Sequence, residues 1–371
     1  MQLPIRLLSE RVAALEAKYR ARSGRATNEF TKYRYDPEGY ARDVLKVEWW
    51  QKQIDIAKAL ISPPYKVLVK ASHSVGKSHL AGGLVNWWYD TRDPGVTLTT
   101  APVARQVRDV LWKEVRRQRR GRGGFVGPKN PRLESSPWHF AYGLTADDGT
   151  SFQGQHEAAV LIVLDEAVGV DHGIWEAADS MVQGAEYGFL AICNPTDVAS
   201  EFYMREQLGT YTVIEIPCIE HPNIDLELAG QEPKFPQAVR LAWFEEHLKR
   251  WSDRIDPGDA KATDLEWPPE SGIWYRPGPL AQARLLARWP DTGCGVWSDR
   301  LWSVCEIEQP LPRWDVLPEI GCDVARFGDD YTEIHVRVGC NSMHHEAHNG
   351  WDTAQTAGRL KQLAREGKTL D

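Results

Sequence analysis

A glycine, a lysine and a serine close a short polar stretch that follows an apolar run. The stretch reads Ala71-Ser-His-Ser-Val-Gly-Lys-Ser78, and the apolar run before it is Val67-Leu-Val69. This spacing is typical of a phosphate loop, in which backbone N–H groups and the next helix N-terminus bind a polyphosphate. Lys77 would then reach the β- and γ-phosphates, and Ser78 would ligate magnesium. The residues expected to surround the phosphates are Ser74, Val75, Gly76, Lys77, Ser78 and His79.

The loop has alanine, Ala71, where the usual pattern begins with glycine. For that reason the loop alone also fits an ordinary strand-turn-helix. A second motif is needed to assign chemistry to it.

Two adjacent acids follow a second apolar run, Ala159-Val-Leu-Ile-Val-Leu164. The run predicts a buried parallel strand, and ligands bind at the carboxyl ends of such strands. Asp165 is predicted to hold magnesium through water, and Glu166 to polarise the attacking water. An acid pair at a strand end is often not catalytic, but together with a phosphate loop it predicts ATP hydrolysis.

Two amide side chains complete the predicted site. Asn194 follows the apolar run 187–193 and is predicted to sense the γ-phosphate, although Asn-Pro is also a common turn signal. Gln53 lies in a predicted helix over 49–60, and its amide offers both a donor and an acceptor to an adenine edge. We prefer Gln53 to Gln51, because Ile56 and Leu60 then fall on its inner side; a surface glutamine is the alternative.

The elements that must position these residues alternate between strand and helix. The phosphate loop leads into a predicted helix from His79, the run Gly95–Pro102 is rich in β-forming residues, and a helix is predicted over Val103–Arg116. This order predicts an α/β fold of the P-loop NTPase type (RecA/helicase-like), with a mostly parallel sheet and flanking helices.

Composition limits the function classes. The 371 residues are 42% hydrophobic and 26% charged, as in soluble globular proteins of two to three domains. No apolar run is long enough to span a bilayer and no signal peptide is visible, so we expect no membrane association and a cytoplasmic protein. The six cysteines form no C-x-x-C pair, which argues against structural zinc and a disulfide framework.

Charge is unevenly distributed. The net charge of −8 excludes a generic polyanion binder, yet Lys113-Glu-Val-Arg-Arg-Gln-Arg-Arg-Gly-Arg122 is strongly basic. This basic run could contact the phosphate backbone of DNA, or it could be a solvated helix end.

Taken in order, these motifs resemble the large terminase subunit of tailed bacteriophages and prophages, the motor and nuclease that packages DNA into a procapsid. The resemblance spans roughly residues 40–371. The matching residues are Ala71-Ser-His-Ser-Val-Gly-Lys-Ser78, Thr99-Thr-Ala-Pro-Val-Ala-Arg-Gln-Val-Arg108, Phe152-Gln-Gly-Gln-His156, Leu161-Ile-Val-Leu-Asp-Glu-Ala167, Cys193-Asn-Pro-Thr-Asp197 and His221-Pro-Asn-Ile224.

The resemblance implies that Lys77 and Ser78 are Walker A residues, that Asp165 and Glu166 are Walker B with the catalytic glutamate, and that Asn194 is the coupling motif. It also implies that Gln53 reads adenine. Some relatives carry an arginine finger in the phosphate loop, where this chain has His73. The arginines that could replace it, in cis or from a neighbouring subunit, or contact nucleic acid are Arg105, Arg108, Arg117, Arg119, Arg120 and Arg122.

The resemblance also suggests a domain plan. It comprises an N-terminal arm over 1–48, a P-loop ATPase domain over 49–240, a lid or connector over 241–313 and an incomplete RNase H-like nuclease domain over 314–371. Asp323 would be the first nuclease metal ligand, for Mg²⁺ or Mn²⁺, on the first strand of a hairpin. We expect little nuclease activity, because relatives supply later acids beyond this hairpin and two-metal hydrolysis needs several carboxylates.

The leading hypothesis is therefore an ATP- and Mg²⁺-dependent motor for viral double-stranded DNA packaging in the bacterial host cytoplasm. Its expected partners are the portal protein, the small terminase subunit and further copies of the chain in a ring on the procapsid. Two alternatives remain at this point: a helicase-like P-loop NTPase acting on nucleic acid, and a non-catalytic packaging adaptor.

Overall fold

The structure, a computed structural model, describes residues 28–127, 130–144, 158–182, 186–290, 317–325, 331–339 and 341–366. It divides into two units, Met1–Asp291 and Thr292–Asp371. The predicted helix over 7–22, the motif at 152–156 and the turn acids Asp329 and Asp330 lie outside the described residues. Within those residues no helix is both long and apolar enough to cross a membrane.

A seven-stranded sheet forms the centre of the first unit. Its order is β3-β4-β2-β5-β6-β1-β7, and every neighbouring pair is parallel except β3 with β4. The strands are β1 Lys66–Ala71, β2 Gly95–Thr100, β3 Arg132–Ser136, β4 His139–Gly143, β5 Ala159–Leu164, β6 Glu186–Cys193 and β7 Thr212–Ile216. The predicted mostly parallel α/β fold is confirmed.

Helices cover both faces of this sheet. They are α1 Pro37–Tyr40, α2 Gln51–Ala59, α3 Lys77–Thr91, α4 Ala104–Gln106, α5 Trp112–Arg119, α6 His172–Met181, α7 Glu201–Gln207, α8 Pro222–Leu228 and α9 Leu241–Trp251. Successive β1 side chains enter different cores, because Val67 and Val69 pack in one apolar cluster and Leu68 in the other. A strand buried on both faces reads as a continuous apolar run, which is why β1, β5 and β6 were predictable.

The helix predicted over Val103–Arg116 is present but interrupted. A π-helical turn, Val107–Leu111, joins α4 to α5. The edge strands β3 and β7 were not predicted, since β3 is polar and β7 is only partly buried.

A small three-stranded sheet follows α9, where the sequence predicted a lid or connector. Its strands are β8 Ser252–Ile255, β9 Leu265–Glu266 and β10 Trp274–Pro277, in the order β8-β10-β9. The helix predicted over 281–290 is shorter and begins earlier, as α10 Pro279–Arg284. Its end touches the phosphate loop, because the His73 backbone N–H donates to the Arg284 carbonyl at 3.0 Å.

The second unit contains an antiparallel sheet and one helix. Strands β11 Glu319–Asp323, β12 Tyr331–Val338 and β13 Asn341–Asn349 pair in that order, and α11 spans Thr353–Glu366. The predicted hairpin with Asp323 on its first strand is confirmed. The third strand was not predicted.

The basic run does not form one surface. Arg119 and Arg122 both bind the Asp90 carboxylate inside the first unit, and the Tyr40 hydroxyl joins them. Burial, followed by the charge of Asp90, raises the pKa of Tyr40. This part of the run ties α5 to α3 and is therefore a structural ion network, an arrangement that the prediction of a solvated helix end or a DNA surface did not include.

Candidate active site

The strand order explains how distant motifs meet. Strand β1 lies between β6 and β7, and β5 lies on the other side of β6. Carboxyl ends of parallel strands share one edge of the sheet, so the loop after β1, the acids after β5 and Asn194 after β6 converge. The Asn194 side-chain N–H₂ donates to the Ala71 carbonyl at 2.5 Å.

Lys77 is held at the base of this edge. Its Nζ donates to the Ser72 carbonyl at 2.9 Å and to Asn194 Oδ1 at 3.1 Å. Burial lowers the pKa of Lys77, and the negative charges of Glu166 and Asp165 oppose that effect. The ammonium is thus oriented inside the loop before any ligand arrives, and Asn194 contacts Lys77 directly.

The loop backbone takes the turns that a phosphate loop requires. Ser74 has φ +58° and Gly76 has φ +92°, both in the left-handed region. A Cβ at Gly76 would lie 2.6 Å from Gln53 Nε2, so position 76 tolerates only glycine. Helix α3 begins at Lys77 and spans 15 residues, and its N-terminus is open to an anion.

Gln53 braces this loop from behind. It is 4% exposed, its Nε2 donates to the Gly76 carbonyl at 3.1 Å, and its Oε1 accepts from the Trp50 backbone N–H at 3.2 Å. Both amide atoms therefore have protein partners, and the contact that the structure shows is with the loop. The predicted contact with adenine stays a prediction.

The acid pair sits where it was predicted. Asp165 is 2% exposed, and its backbone N–H donates to the Thr100 carbonyl at 2.9 Å. Burial, then the neighbouring charge of Glu166, raises the pKa of Asp165 to about 6, although Lys77 opposes the rise. Glu166 lines the cleft and has φ +49°, a left-handed backbone that is uncommon for glutamate.

A cleft of about 800 Å³ opens in front of the loop. Its far wall is the segment 234–238, and Asn223 holds that segment. The Asn223 side-chain N–H₂ donates to the carbonyls of Phe235 and Val239, and the Val239 backbone N–H donates to the Ser74 carbonyl at 2.9 Å.

The sequence did not predict these wall residues, although His221-Pro-Asn-Ile224 was among the matching motifs. The ring of His221 contacts Trp50 on one side and Phe235 on the other, with centroids 5.0 Å and 5.6 Å apart. Burial lowers the pKa of His221 to about 4, so the ring is neutral and packs as an aromatic group. A motif of unassigned role was thus the available signal for this wall.

Among the six arginine candidates, Arg117 lines the cleft. Its guanidinium binds Glu114 at 2.7 Å, and it lies 3.2 Å from His79 Nδ1 and 3.0 Å from Gln237 Oε1. Arg105 and Arg108 lie on the exposed side of their helix beside Asp109. Arg119 and Arg122 bind Asp90, while Arg120 is exposed at the end of α5.

His73 is neutral in this loop. Burial lowers its pKa to about 4, and the positive charges of Lys77 and Arg284 add to the effect. The predicted absence of a cationic group at this loop position agrees with the structure.

Asp323 lies apart from this cleft, in the second unit. It is exposed at the end of β11 and stands opposite Glu333 on β12. Its predicted role as a nuclease ligand stays a prediction.

Neither a protein-family model nor a curated protein matches the sequence. Solved structures with a similar fold include a large terminase from a thermophilic bacteriophage, at 13% identity and TM-score 0.45, over 88% of this chain and 75% of that chain. The same terminase with ADP aligns at 13% identity and TM-score 0.42, over 86% and 74%. The large terminase ATPase domain of Thermus phage P74-26 aligns at 15% identity and TM-score 0.44, over 57% and 92%. These proteins are of the family that the sequence motifs resemble.

Replacing Gln53 by alanine is expected to lower the free energy of unfolding by about 1–3 kcal/mol, because the Gly76 carbonyl and the Trp50 N–H lose their buried partner. Urea unfolding followed by fluorescence measures the change. Gln51→Ala is the matched control: Gln51 is exposed and bonds only Asp55 among the described residues, so its effect should stay within about 0.5 kcal/mol. Equal effects of the two substitutions would contradict the bracing role.

Asp165→Asn is expected to stabilise the protein at neutral pH. The pKa of Asp165 is raised to about 6 from 3.8, so the folded state binds the proton more tightly, and stability falls as pH rises between these two values. The variant avoids this loss and should be more stable by up to about 3 kcal/mol at pH 7.5, at 1.36 kcal/mol per unit, and by almost nothing below pH ~4. Unfolding curves at both pH values measure the difference, and a variant that is less stable at pH 7.5 would contradict it.

Proposed function

We propose that this chain is the ATP-hydrolysing motor of viral double-stranded DNA packaging, a large terminase subunit. The observation that carries the hydrolase part is the contact of Lys77 Nζ with both the Ser72 carbonyl and Asn194 Oδ1, beside Asp165 and Glu166. This arrangement unites the phosphate loop with the acids that hydrolysis requires. The packaging part is supported by the order of the sequence motifs.

The residues of the chain divide the work of hydrolysis. The loop N–H groups and the N-terminus of α3 bind the phosphates, and Lys77 supplies a positive charge that is already oriented. Glu166, on the cleft side of the sheet edge, accepts a hydrogen bond from the attacking water and aligns it. Asn194 holds Lys77 and the end of β1, so it can pass a change at the phosphates to the strand.

Mg²⁺ would be held by the Ser78 hydroxyl and, through water, by Asp165. An oxygen donor set suits this hard cation, and the buried Thr100 hydroxyl beside Asp165 has no protein partner among the described residues. When bound with ATP, the ion neutralises charge on the phosphates. Ionised Asp165 is the form that serves it, so nucleotide hydrolysis should weaken as pH falls through about 6.

In this proposal the polymer is double-stranded DNA, and the partners are the portal protein, the small terminase subunit and further copies of the chain in a ring on the procapsid. The motor would act in the host cytoplasm. The DNA-binding surface would lie outside Arg119 and Arg122, since their guanidinium groups are committed to Asp90. Arg117 is the arginine that would approach the phosphates in cis, because it already lies in the cleft.

Lys77→Ala and Glu166→Gln should separate binding from chemistry. Lys77→Ala removes the oriented charge and is expected to weaken ATP binding and to abolish turnover. Glu166→Gln keeps the loop and should bind ATP normally while turnover falls on the order of 1000-fold. Calorimetric ATP binding and phosphate release measure the two effects.

The surface pair Lys58→Ala and Glu38→Gln is the matched control, since these residues bond each other on the exterior. Both control variants should retain full activity. Normal turnover in Lys77→Ala and Glu166→Gln would overturn the assignment.

Arg117→Gln is expected to lower kcat on the order of 100-fold while ATP affinity changes little, as for a group that stabilises transition-state charge. Arg120→Gln, on the same basic run but exposed away from the cleft, should leave kcat unchanged. Single-turnover kinetics with each variant decide the point. An unchanged kcat in Arg117→Gln would assign the role to another group.

A further inference from the structure

One exposed face of the sheet in the second unit carries four side chains that can bind metals. Asp323 stands directly opposite Glu333, and His335 stands directly opposite His345. Glu333 and His335 are two residues apart on β12, so they point to the same side of the sheet. All four side chains therefore share one face, and all four are exposed.

The spacing on this face suits a shared ion. The ring centroids of His335 and His345 are 6.0 Å apart, and His345 Nε2 lies 3.7 Å from Glu333 Oε2. Directly opposed residues on antiparallel strands have Cβ atoms about 4.5–5.5 Å apart, so small rotamer changes bring their donor atoms to one centre.

Small residues leave room beside these donors. The third residue in the row of His335 and His345 is Gly321, and the third in the row of Asp323 and Glu333 is Ala347. Neither can cover the donor atoms, and space around Gly321 is open: the nearest atom to an added Cβ would be the His335 carbonyl oxygen at 4.0 Å.

The charges on this face also favour a cation. Its one arginine, Arg337, is paired with Glu319 at 2.8 Å. Among the residues that the structure describes, Asp323 pairs with no cation, and Glu333 has only His345 beside it. Two carboxylates on this face thus remain without a permanent positive partner.

The opposite face of the same strands provides the contrast. His344 and His348 also lie beside a carboxylate there, that of Glu346. Arg359 binds Glu346 at 2.8 Å and, with His344, lowers the pKa of that carboxyl to about 2. Because a guanidinium already satisfies this acid, the opposite face lacks the free anionic donor of the first.

A second cluster elsewhere is similarly satisfied. His172, Glu176 and Glu201 bring their ligand atoms within 4.8 Å of one another in the first unit. Arg205 bonds both carboxylates, at 3.0 Å and 2.9 Å. An ion there would have to compete with a permanent cation.

We propose that Glu333, His335 and His345 bind one divalent transition metal ion, with Asp323 available as a fourth ligand. Imidazole with carboxylate is a donor set for Zn²⁺ and its neighbours, whereas Mg²⁺ prefers six oxygens. The site therefore selects a different ion from the one predicted at Asp323, and it does not depend on the ATPase assignment.

The test is calorimetric titration of the untagged full chain with Zn²⁺ alone at pH 7.5, with circular dichroism to confirm folding. The double variant His335→Gln/His345→Gln should weaken Zn²⁺ binding on the order of ten-fold or more, and Glu333→Gln should weaken it by less. Titration with Mg²⁺ should show no binding that these substitutions alter.

Two matched variants control for the other histidines of the chain. His344→Gln, on the opposite face of the same strand, and His172→Gln, in the Arg205 cluster, should leave Zn²⁺ affinity unchanged. Absence of Zn²⁺ binding, or binding that survives in the folded double variant, would overturn the proposal. So would binding that is lost in His172→Gln.

Discussion

The active-site end of the first unit depends on one ammonium group held in place before any ligand binds. Lys77 Nζ bonds a carbonyl of its own loop and the side chain of Asn194, while Asp165 and Glu166 supply the opposing charge. Burial disfavours each of these charges alone, as the altered pKa values of Lys77 and Asp165 indicate. Together they form a site whose charges await a polyphosphate and its cation.

This charge cluster requires the central sheet. Only a strand order that places β1 between β6 and β7, next but one to β5, brings the loop, the acids and Asn194 to one edge. The loop is then braced from behind by Gln53 and from the far side by the segment that Asn223 holds. Gly76 is required where the brace and the loop approach each other, since a Cβ would meet Gln53 Nε2.

The central strands and the placement of Lys77, Asp165 and Asn194 were predictable, because buried parallel strands read as apolar runs and ligands gather at their carboxyl ends. Edge strands such as Thr212–Ile216 were missed, since partial burial gives them no such run. Side-chain partners were equally hidden. No local pattern shows that Arg119 turns inward to Asp90, that Gln53 bonds Gly76, or that Phe235 closes the cleft, because each contact joins residues far apart in the chain.

The most direct test of the central claim is the rate of phosphate release from ATP by this chain, measured with and without linear double-stranded DNA. The proposed motor predicts Mg²⁺-dependent hydrolysis that rises when DNA is added, since translocation couples the two. Hydrolysis no faster than that of Lys77→Ala, with or without DNA, would contradict it.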